Sequence, residues 1–162
     1  MRTKEMIAVC GFALCFHAVG QSPSGVTDRG KRNYELHRQA EQAVDAERKH
    51  AKVDLCPKAM TTFAINECMA RELKTSDANY NKLVMALGAL LRSSRTEPVH
   101  GRIPFDDAEA AWMIYREKAC AAAGWVNEGG SMRPMVEMGC EISVVQHHMD
   151  QLWELYSDLE MN

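Results

Sequence analysis

The sequence predicts an all-α fold, a small antiparallel helical bundle held together by two disulfides, with an extra charged helix on its N-terminal side. Apolar residues recur at steps of three, four and seven in three segments, and no segment shows the strict alternation of a half-buried strand. Four cysteines follow a predicted export signal. A length of 162 residues, 46% hydrophobic and 25% charged, is typical of one globular domain.

The N-terminus has the layout of a secretory signal peptide. A basic start precedes an apolar stretch from Met6 to Val19, and we predict cleavage after Gly20 because small residues lead up to it. The apolar stretch is shorter than the roughly 20 residues of a membrane span, so we expect no membrane span after cleavage. Lipidation at Cys15 is a minor alternative, because Leu14 stands where a small residue is usual. The sequence therefore predicts a signal peptide at residues 1–20 and a periplasmic or secreted protein.

The charge of the chain argues against nucleic acid as a partner. The full sequence has 19 basic and 22 acidic residues, a net charge of −3. Removal of residues 1–20 takes away two basic residues, Arg2 and Lys4, and one acidic residue, Glu5, so the mature net charge becomes −4. A chain without a basic surplus has little with which to neutralise a phosphate backbone.

The cysteines of the mature chain predict two disulfides. They are Cys56, Cys68, Cys120 and Cys140, an even number in a chain expected to leave the reducing cytoplasm. None of them forms a Cys-x-x-Cys pair, so the spacing does not suit zinc. We favour Cys56 with Cys68 and Cys120 with Cys140, because each pair closes a short loop, and the other two pairings remain open.

Residues 21–55 are predicted to form a mobile start followed by a charged helical extension. Residues 21–29 are rich in Ser, Pro, Gly and Thr. From about Lys31 to Val53 the chain is highly charged and suits a helix. Its thin apolar line consists of Tyr34, Ala40, Val44 and Ala51. We expect this helix to dock only weakly on the rest of the domain.

A long helix is predicted to begin after a cap at Thr61 or Thr62 and to continue to about Leu91. Its apolar positions share one face, so the helix needs a packing partner. We expect an interruption at residues 75–77, because Thr, Ser and Asp side chains there compete for backbone hydrogen bonds. The apolar positions are Met69, Leu73, Tyr80, Val84, Leu87 and Leu91.

Two further helices complete the predicted bundle. Prolines and a glycine between residues 98 and 104 indicate a loop, after which Asp106 or Asp107 is expected to cap a helix that runs to about Ala123. The last helix is predicted from about Met135 to Leu159. Short connections between neighbouring helices favour an antiparallel arrangement.

The motif residues resemble the LprI-type lysozyme-inhibitor family of bacteria. The resemblance covers about residues 56–155, and we assign residues 56–162 to an LprI-like helical domain. It implies a secreted or periplasmic, disulfide-bonded helical domain, and the named member of the family is a lipoprotein that inhibits lysozyme. The matching residues are Asn66, Glu67, Cys68, Asp77, Asn81, residues 111–116 with Trp112, Tyr115 and Arg116, Cys120, residues 129–131 and Cys140.

The sequence departs from the family pattern at four positions. Ala110 stands where Gln is usual, Val84 where Tyr is frequent, Val145 where Thr is usual, and His148 where Arg is usual. Several polar groups of the pattern are thus missing. If those groups only tie helices together, we expect the fold to survive with a more apolar seam.

Structural roles are expected for most of the motif. Trp112 and Tyr115 are predicted to be core aromatics, and Arg116 to pair with Glu67 or Asp77 across a helix interface. The sequence contains none of the common hydrolase, metalloprotease or phosphate-loop motifs, so we predict no catalytic residues and no cofactor. The adjacent residues at 147 and 148 are both His, but they project about 100° apart on a helix, and we predict no metal site.

These observations predict a binding protein whose partner is a lysozyme-like enzyme. We take the loop from Asn127 to Arg133 as the candidate inhibitory element, with Ser131 and Arg133 facing catalytic carboxylates and Trp125 as an apolar anchor. The alternative for the loop is a plain connector. The alternative function is an envelope structural or stress-related interaction module, without inhibitory activity, that binds through its charged N-terminal helix.

Overall fold

The computed structural model describes residues 27–95 and 100–159 and confirms the all-α prediction. Four helices form the bundle, and no strand occurs in these residues. The predicted signal peptide, with Cys10 and Cys15, lies outside the described residues, as does Pro98. The helices are α1 (Asp28–His50), α2 (Thr62–Ser93), α3 (Pro104–Gly124) and α4 (Arg133–Tyr156), and a short 3-10 helix (Trp125–Asn127) precedes the last of them.

Helix α2 is continuous, so the expected interruption at residues 75–77 is wrong. The Thr61 hydroxyl caps its start by accepting a hydrogen bond from the Ala64 amide at 3.2 Å. Within the helix, the Thr75 hydroxyl donates to the Arg71 carbonyl at 3.1 Å, and the Ser76 hydroxyl donates to Glu47 on α1 at 2.6 Å. Both hydroxyls therefore find partners without opening the helical backbone.

Helix α3 begins two residues earlier than the predicted Asp106 cap. Pro104 occupies the first turn, where its missing N–H costs nothing. The Asp106 carboxylate accepts a hydrogen bond from the Ile103 amide at 2.9 Å, and so it closes the helix start from within the first turn. At the other end, α4 stops at Tyr156 rather than at the predicted Leu159.

Helix α1 packs into the core, which corrects the expectation of weak docking. Ala40 is 0% exposed and Val44 is 1% exposed, because small side chains let α1 approach its neighbours closely. The end of α4 also holds α1, since His37 Nε2 lies 2.8 Å from the Ser157 carbonyl. The core that α1 joins consists mainly of Leu83, Leu87, Leu90, Val145, Met149 and Leu152.

The two disulfides have the favoured pairing. Cys56 bonds to Cys68 and ties the segment before α2 onto that helix. Cys120 bonds to Cys140 and joins α3 to α4. Within the described part of the chain, none of the helices combines the length and the apolar character needed to cross a membrane.

Candidate functional site

Part of the family motif, including Asp77, Asn81 and Arg116, lines a groove between α2 and α3. Helix α3 packs mainly on α4 and touches α2 little, which leaves an open volume of about 400 Å³ between them. The α2 wall carries Asp77 and Asn81, and the α3 wall carries Met113 and Glu117. We treat this groove as the candidate functional site.

Arg116 forms the centre of the groove and joins three helices. Its Nη1 lies 2.8 Å from Asp77 Oδ1 on α2, and its Nη2 lies 2.7 Å from Glu141 Oε2 on α4. The guanidinium is buried, with 4% of the residue exposed, so these two ion pairs largely replace water around it. Arg116 Nε is also buried and has no hydrogen-bond partner among residues 27–95 and 100–159.

The expected partner Asp77 is correct and the alternative Glu67 is wrong. Glu67 lies beside the Cys56–Cys68 disulfide, ten residues before Asp77 and therefore about 15 Å away along α2. The second partner, Glu141, was missed. It follows Cys140 directly, and the disulfide to Cys120 places it opposite α3, so the cysteine pairing was the signal that could have found it.

The groove is acidic on balance. The carboxylates of Asp77, Glu117 and Glu141 surround a single guanidinium, that of Arg116. The Asp77 and Glu141 side chains are 40% and 30% exposed, although both contact Arg116. Glu117 is 72% exposed, and its ion-pair partner among residues 27–95 and 100–159 is Lys118, at 3.4 Å. Negative charge therefore faces solvent along the groove.

A buried polar network lies behind the groove. The Tyr80 hydroxyl donates to Glu109 Oε2 at 2.9 Å, and His148 Nε2 lies 3.0 Å from the same oxygen. Burial and the neighbouring Glu109 carboxylate raise the pKa of the Tyr80 phenol, so the hydroxyl stays a donor. Trp112 stacks on His148 with ring centroids 3.9 Å apart. These groups hold α2, α3 and α4 together.

The two motif aromatics occupy different environments. Trp112 is half-buried and packs against the core, as expected of a core aromatic. Tyr115 is 62% exposed, which corrects the expectation that it is buried. The residue next to it, Arg116, points inward, and neighbouring residues on a helix project about 100° apart. Tyr115 therefore faces away from the core.

The departures from the family pattern fall in three settings: the core, where Val84 also packs, the buried polar network and the exposed surface of α3. Val145 is 0% exposed and packs in the core. The contact between helices is therefore more apolar there, as the sequence predicts. His148 takes the Glu109 carboxylate as its partner. Ala110 is exposed, and its small side chain leaves that part of α3 open.

The candidate inhibitory loop lies at the disulfide-bonded end of the bundle. Trp125 is 69% exposed and Val126 is 80% exposed at its base. Arg133 forms ion pairs with two nearby carboxylates, Glu128 and Glu137. Its Nε lies 2.7 Å from Glu137 Oε1.

The same loop is also fixed to α2 and to the end of α3. The Asn66 side-chain amide donates to the Ser131 carbonyl at 3.4 Å. Gly129 adopts a φ of +71°, a left-handed conformation that favours glycine. Gly124 allows close approach of α3 to α4, since a Cβ there would lie 2.4 Å from Glu137 Cγ. The loop is therefore tied to α2, while residues 128–132 remain exposed.

Two comparisons with known proteins, one with curated sequences and one with family models, found a match. An uncharacterized protein of Rhizobium meliloti (strain 1021) is 29% identical over 112 residues, which cover 65% of this chain and 81% of that protein. No solved structure gives a significant match. The family of lysozyme inhibitor LprI matches residues 56–152, a span that includes both disulfides, the groove and the loop. This chain belongs to the LprI lysozyme inhibitor family.

Proposed function

We propose that this protein is a periplasmic or secreted inhibitor of a lysozyme-type peptidoglycan hydrolase, and that it has no catalytic activity of its own. The observation that carries the proposal is the family match over residues 56–152. Two disulfides support the location, because such bonds persist in oxidising compartments outside the cytoplasm. The predicted signal peptide at residues 1–20 supports it as well.

The loop from Asn127 to Arg133 is the element that we place in the hydrolase cleft. It projects from an end that Cys120 and Cys140 hold together, so little ordering cost remains when it binds. Trp125 supplies an exposed aromatic anchor. Arg133 already pairs with Glu128 and Glu137, so it acts by keeping the loop in shape while Ser131 faces the cleft.

The function is tested with a cell-wall lysis assay. Purified, oxidised mature protein is added to a basic animal lysozyme at increasing molar ratios, and the loss of turbidity of a peptidoglycan suspension is followed. We expect protection near a one-to-one ratio. No protection at a large excess would contradict the proposal and would favour the interaction module, with the exposed face of α1 as its contact surface.

The loop is tested with Trp125→Ala and with the double variant Ser131→Ala, Arg133→Ala. We expect Trp125→Ala to raise the concentration for half-inhibition about tenfold, as loss of an interface anchor does. Its melting temperature should stay unchanged, because the side chain is 69% exposed. Tyr34→Ala removes an aromatic residue from α1 that is 59% exposed and serves as the control. Normal inhibition by both folded loop variants would rule out the loop.

A further inference from the structure

Helix α3 exposes apolar side chains on the side that lines the groove. Met113 is 44% exposed and Ile114 is 61% exposed, and both border the groove. Exposed apolar residues that adjoin one another and are rimmed by charged residues, as these are, mark an interaction surface when a partner covers them. The α3 wall of the groove is thus an uncovered apolar face.

The charged side chains next to this apolar face indicate which kind of partner binds there. The three carboxylates of Asp77, Glu117 and Glu141 outnumber the two nearby cations, the buried Arg116 and the exposed Lys118 beside Glu117, and all three carboxylates retain contact with solvent. Their arrangement is complementary to a cationic side chain, which such a site attracts and orients.

We propose that the groove between α2 and α3 receives a Lys or Arg side chain of the lysozyme-type hydrolase and so selects a hydrolase with a basic surface. The charged end of that side chain pairs with Glu117 and Glu141. Met113 and Ile114 contact its apolar stem. This inference rests on the proposed inhibitory function and names a second contact region for the same partner.

The groove and the loop fit within one interface. Glu117 and Trp125 are eight residues apart, which is about 12 Å along the helix axis. A typical protein interface covers about 800 Å² on each partner, enough to include both regions. One hydrolase molecule can therefore contact the loop with its cleft and the groove with its rim.

A second groove, between α1 and α2, lacks this selectivity. Its volume is about 570 Å³, and Leu36, Ala43, Met85 and Ala89 are among the residues that line it. Lys82 is the charged residue of its lining, so no acidic cluster there would attract a basic partner. Met85 is 75% exposed, which makes it a useful internal reference for the groove between α2 and α3.

The contact is located by methyl resonances of methionine. The mature oxidised chain is labelled with ¹³C-methyl methionine and titrated with a basic animal lysozyme. We expect the Met113 signal to shift or broaden and the Met85 signal to stay unchanged, although both side chains are exposed. A change at Met85 without one at Met113 would overturn the inference.

Charge reversal then measures the contribution of the groove. Glu117→Lys should weaken lysozyme binding about tenfold, with a slower association rate, because it replaces attraction by repulsion. Glu154→Lys makes the same change of charge at an exposed position on α4 and should change the Kd less than about twofold. Ile114→Ala tests the apolar wall separately and should also weaken binding.

The possible outcomes separate the two proposals. If wild-type protein inhibits lysozyme while Glu117→Lys and Ile114→Ala bind as tightly as wild type, the groove assignment is wrong and the inhibitory function stands. If wild-type protein neither binds nor inhibits lysozyme, the proposed function fails and the groove assignment fails with it. Selective weakening by the two groove variants supports both.

Discussion

Glu109 shows how a buried carboxylate is accommodated in this small core. The residue is 7% exposed, and its Oε2 receives the Tyr80 hydroxyl and faces His148. A buried charge without such partners would be strongly destabilising. Trp112 stacks on His148, and its ring centroid also lies 5.0 Å from that of Tyr80, so it contacts two members of the network. At the scale of single residues, Trp112 therefore stabilises polar contacts as well as apolar packing.

Trp112→Ala should lower the free energy of unfolding by about 2 to 3 kcal/mol. Truncation of a fully buried aromatic side chain costs about 3 to 5 kcal/mol, and we expect less here because Trp112 is only half-buried. Tyr115→Ala is the matched control on the same helix, and its effect should remain within about 0.5 kcal/mol. Urea denaturation followed by circular dichroism measures both. A Trp112→Ala protein as stable as wild type would contradict the structural role and would point to an interface role.

At the scale of elements, the contact between α1 and α2 depends on Glu47. This residue is 2% exposed, and it accepts hydrogen bonds from the Ser76 hydroxyl at 2.6 Å and the Asn79 amide at 2.8 Å. His50 lies between two carboxylates, 3.3 Å from Glu47 and 2.7 Å from Glu72. This cluster of five residues joins the two helices through polar side chains.

The cluster shifts two pKa values in opposite directions. Burial alone would raise the pKa of Glu47, but the hydrogen bonds from Ser76, Asn79 and His50 lower it. Burial alone would lower the pKa of His50, but its bonds to Glu72 and Glu47 raise it. The protonated imidazolium and the ionised Glu47 are thus the forms that stabilise the contact.

The stability of wild type should therefore depend on pH through His50. Because its folded pKa lies above the ordinary value of 6.5, its contribution is complete below pH 6.5 and is lost as the pH rises through the folded value. The contribution of Glu47 is complete above its ordinary value of 4.5 and is lost as the pH falls through its lowered pKa. Both contributions are complete between those two values.

His50→Gln tests this dependence. The difference in melting temperature between wild type and His50→Gln should be largest between about pH 5 and 6.5 and should shrink above that range. The comparison between the two proteins removes the effect of other titrating groups that both share. A difference that stays constant from pH 5 to pH 9 would contradict the role assigned to His50.

At the scale of the whole molecule, the disulfides supplement a small core. Cys56 and Cys68 are separated by 12 positions in sequence, and Cys120 and Cys140 by 20. A crosslink stabilises mainly by restricting the unfolded chain, and more so for a longer loop. The Cys120–Cys140 bond has a second consequence, since it holds together the two helices between which the loop projects.

Replacement of Cys120 and Cys140 by Ala should lower the free energy of unfolding by about 3 kcal/mol. The matched variant, Cys56 and Cys68 to Ala, should lose slightly less, because its loop is shorter. We also expect the first variant to inhibit lysozyme more weakly than the second at a temperature where both are folded. Equal inhibition by the two variants would contradict the anchoring role of the Cys120–Cys140 bond.

The sequence by itself determined the helices and the presence of two disulfides, and it reduced the partner of Arg116 to Glu67 or Asp77, from which the structure selects Asp77. Periodicity and the caps at Thr61 and Asp106 act over a few residues, so their consequences can be seen in the sequence. Short loops between cysteines favoured one of three possible pairings, and that pairing is the observed one. These features depend on local geometry, which the order of residues already contains.

The tertiary structure alone decided which side chains meet across helices. Three findings depend on how far each helix is rotated and shifted relative to its neighbours. They are the pairing of Glu141 with Arg116, the exposure of Tyr115 and the burial of α1. A rotation of one residue changes the direction of a side chain by about 100°, and the apolar pattern of α3 extends around the helix and does not define that rotation. The groove exists because α3 packs on α4 rather than on α2, a choice made by the whole core.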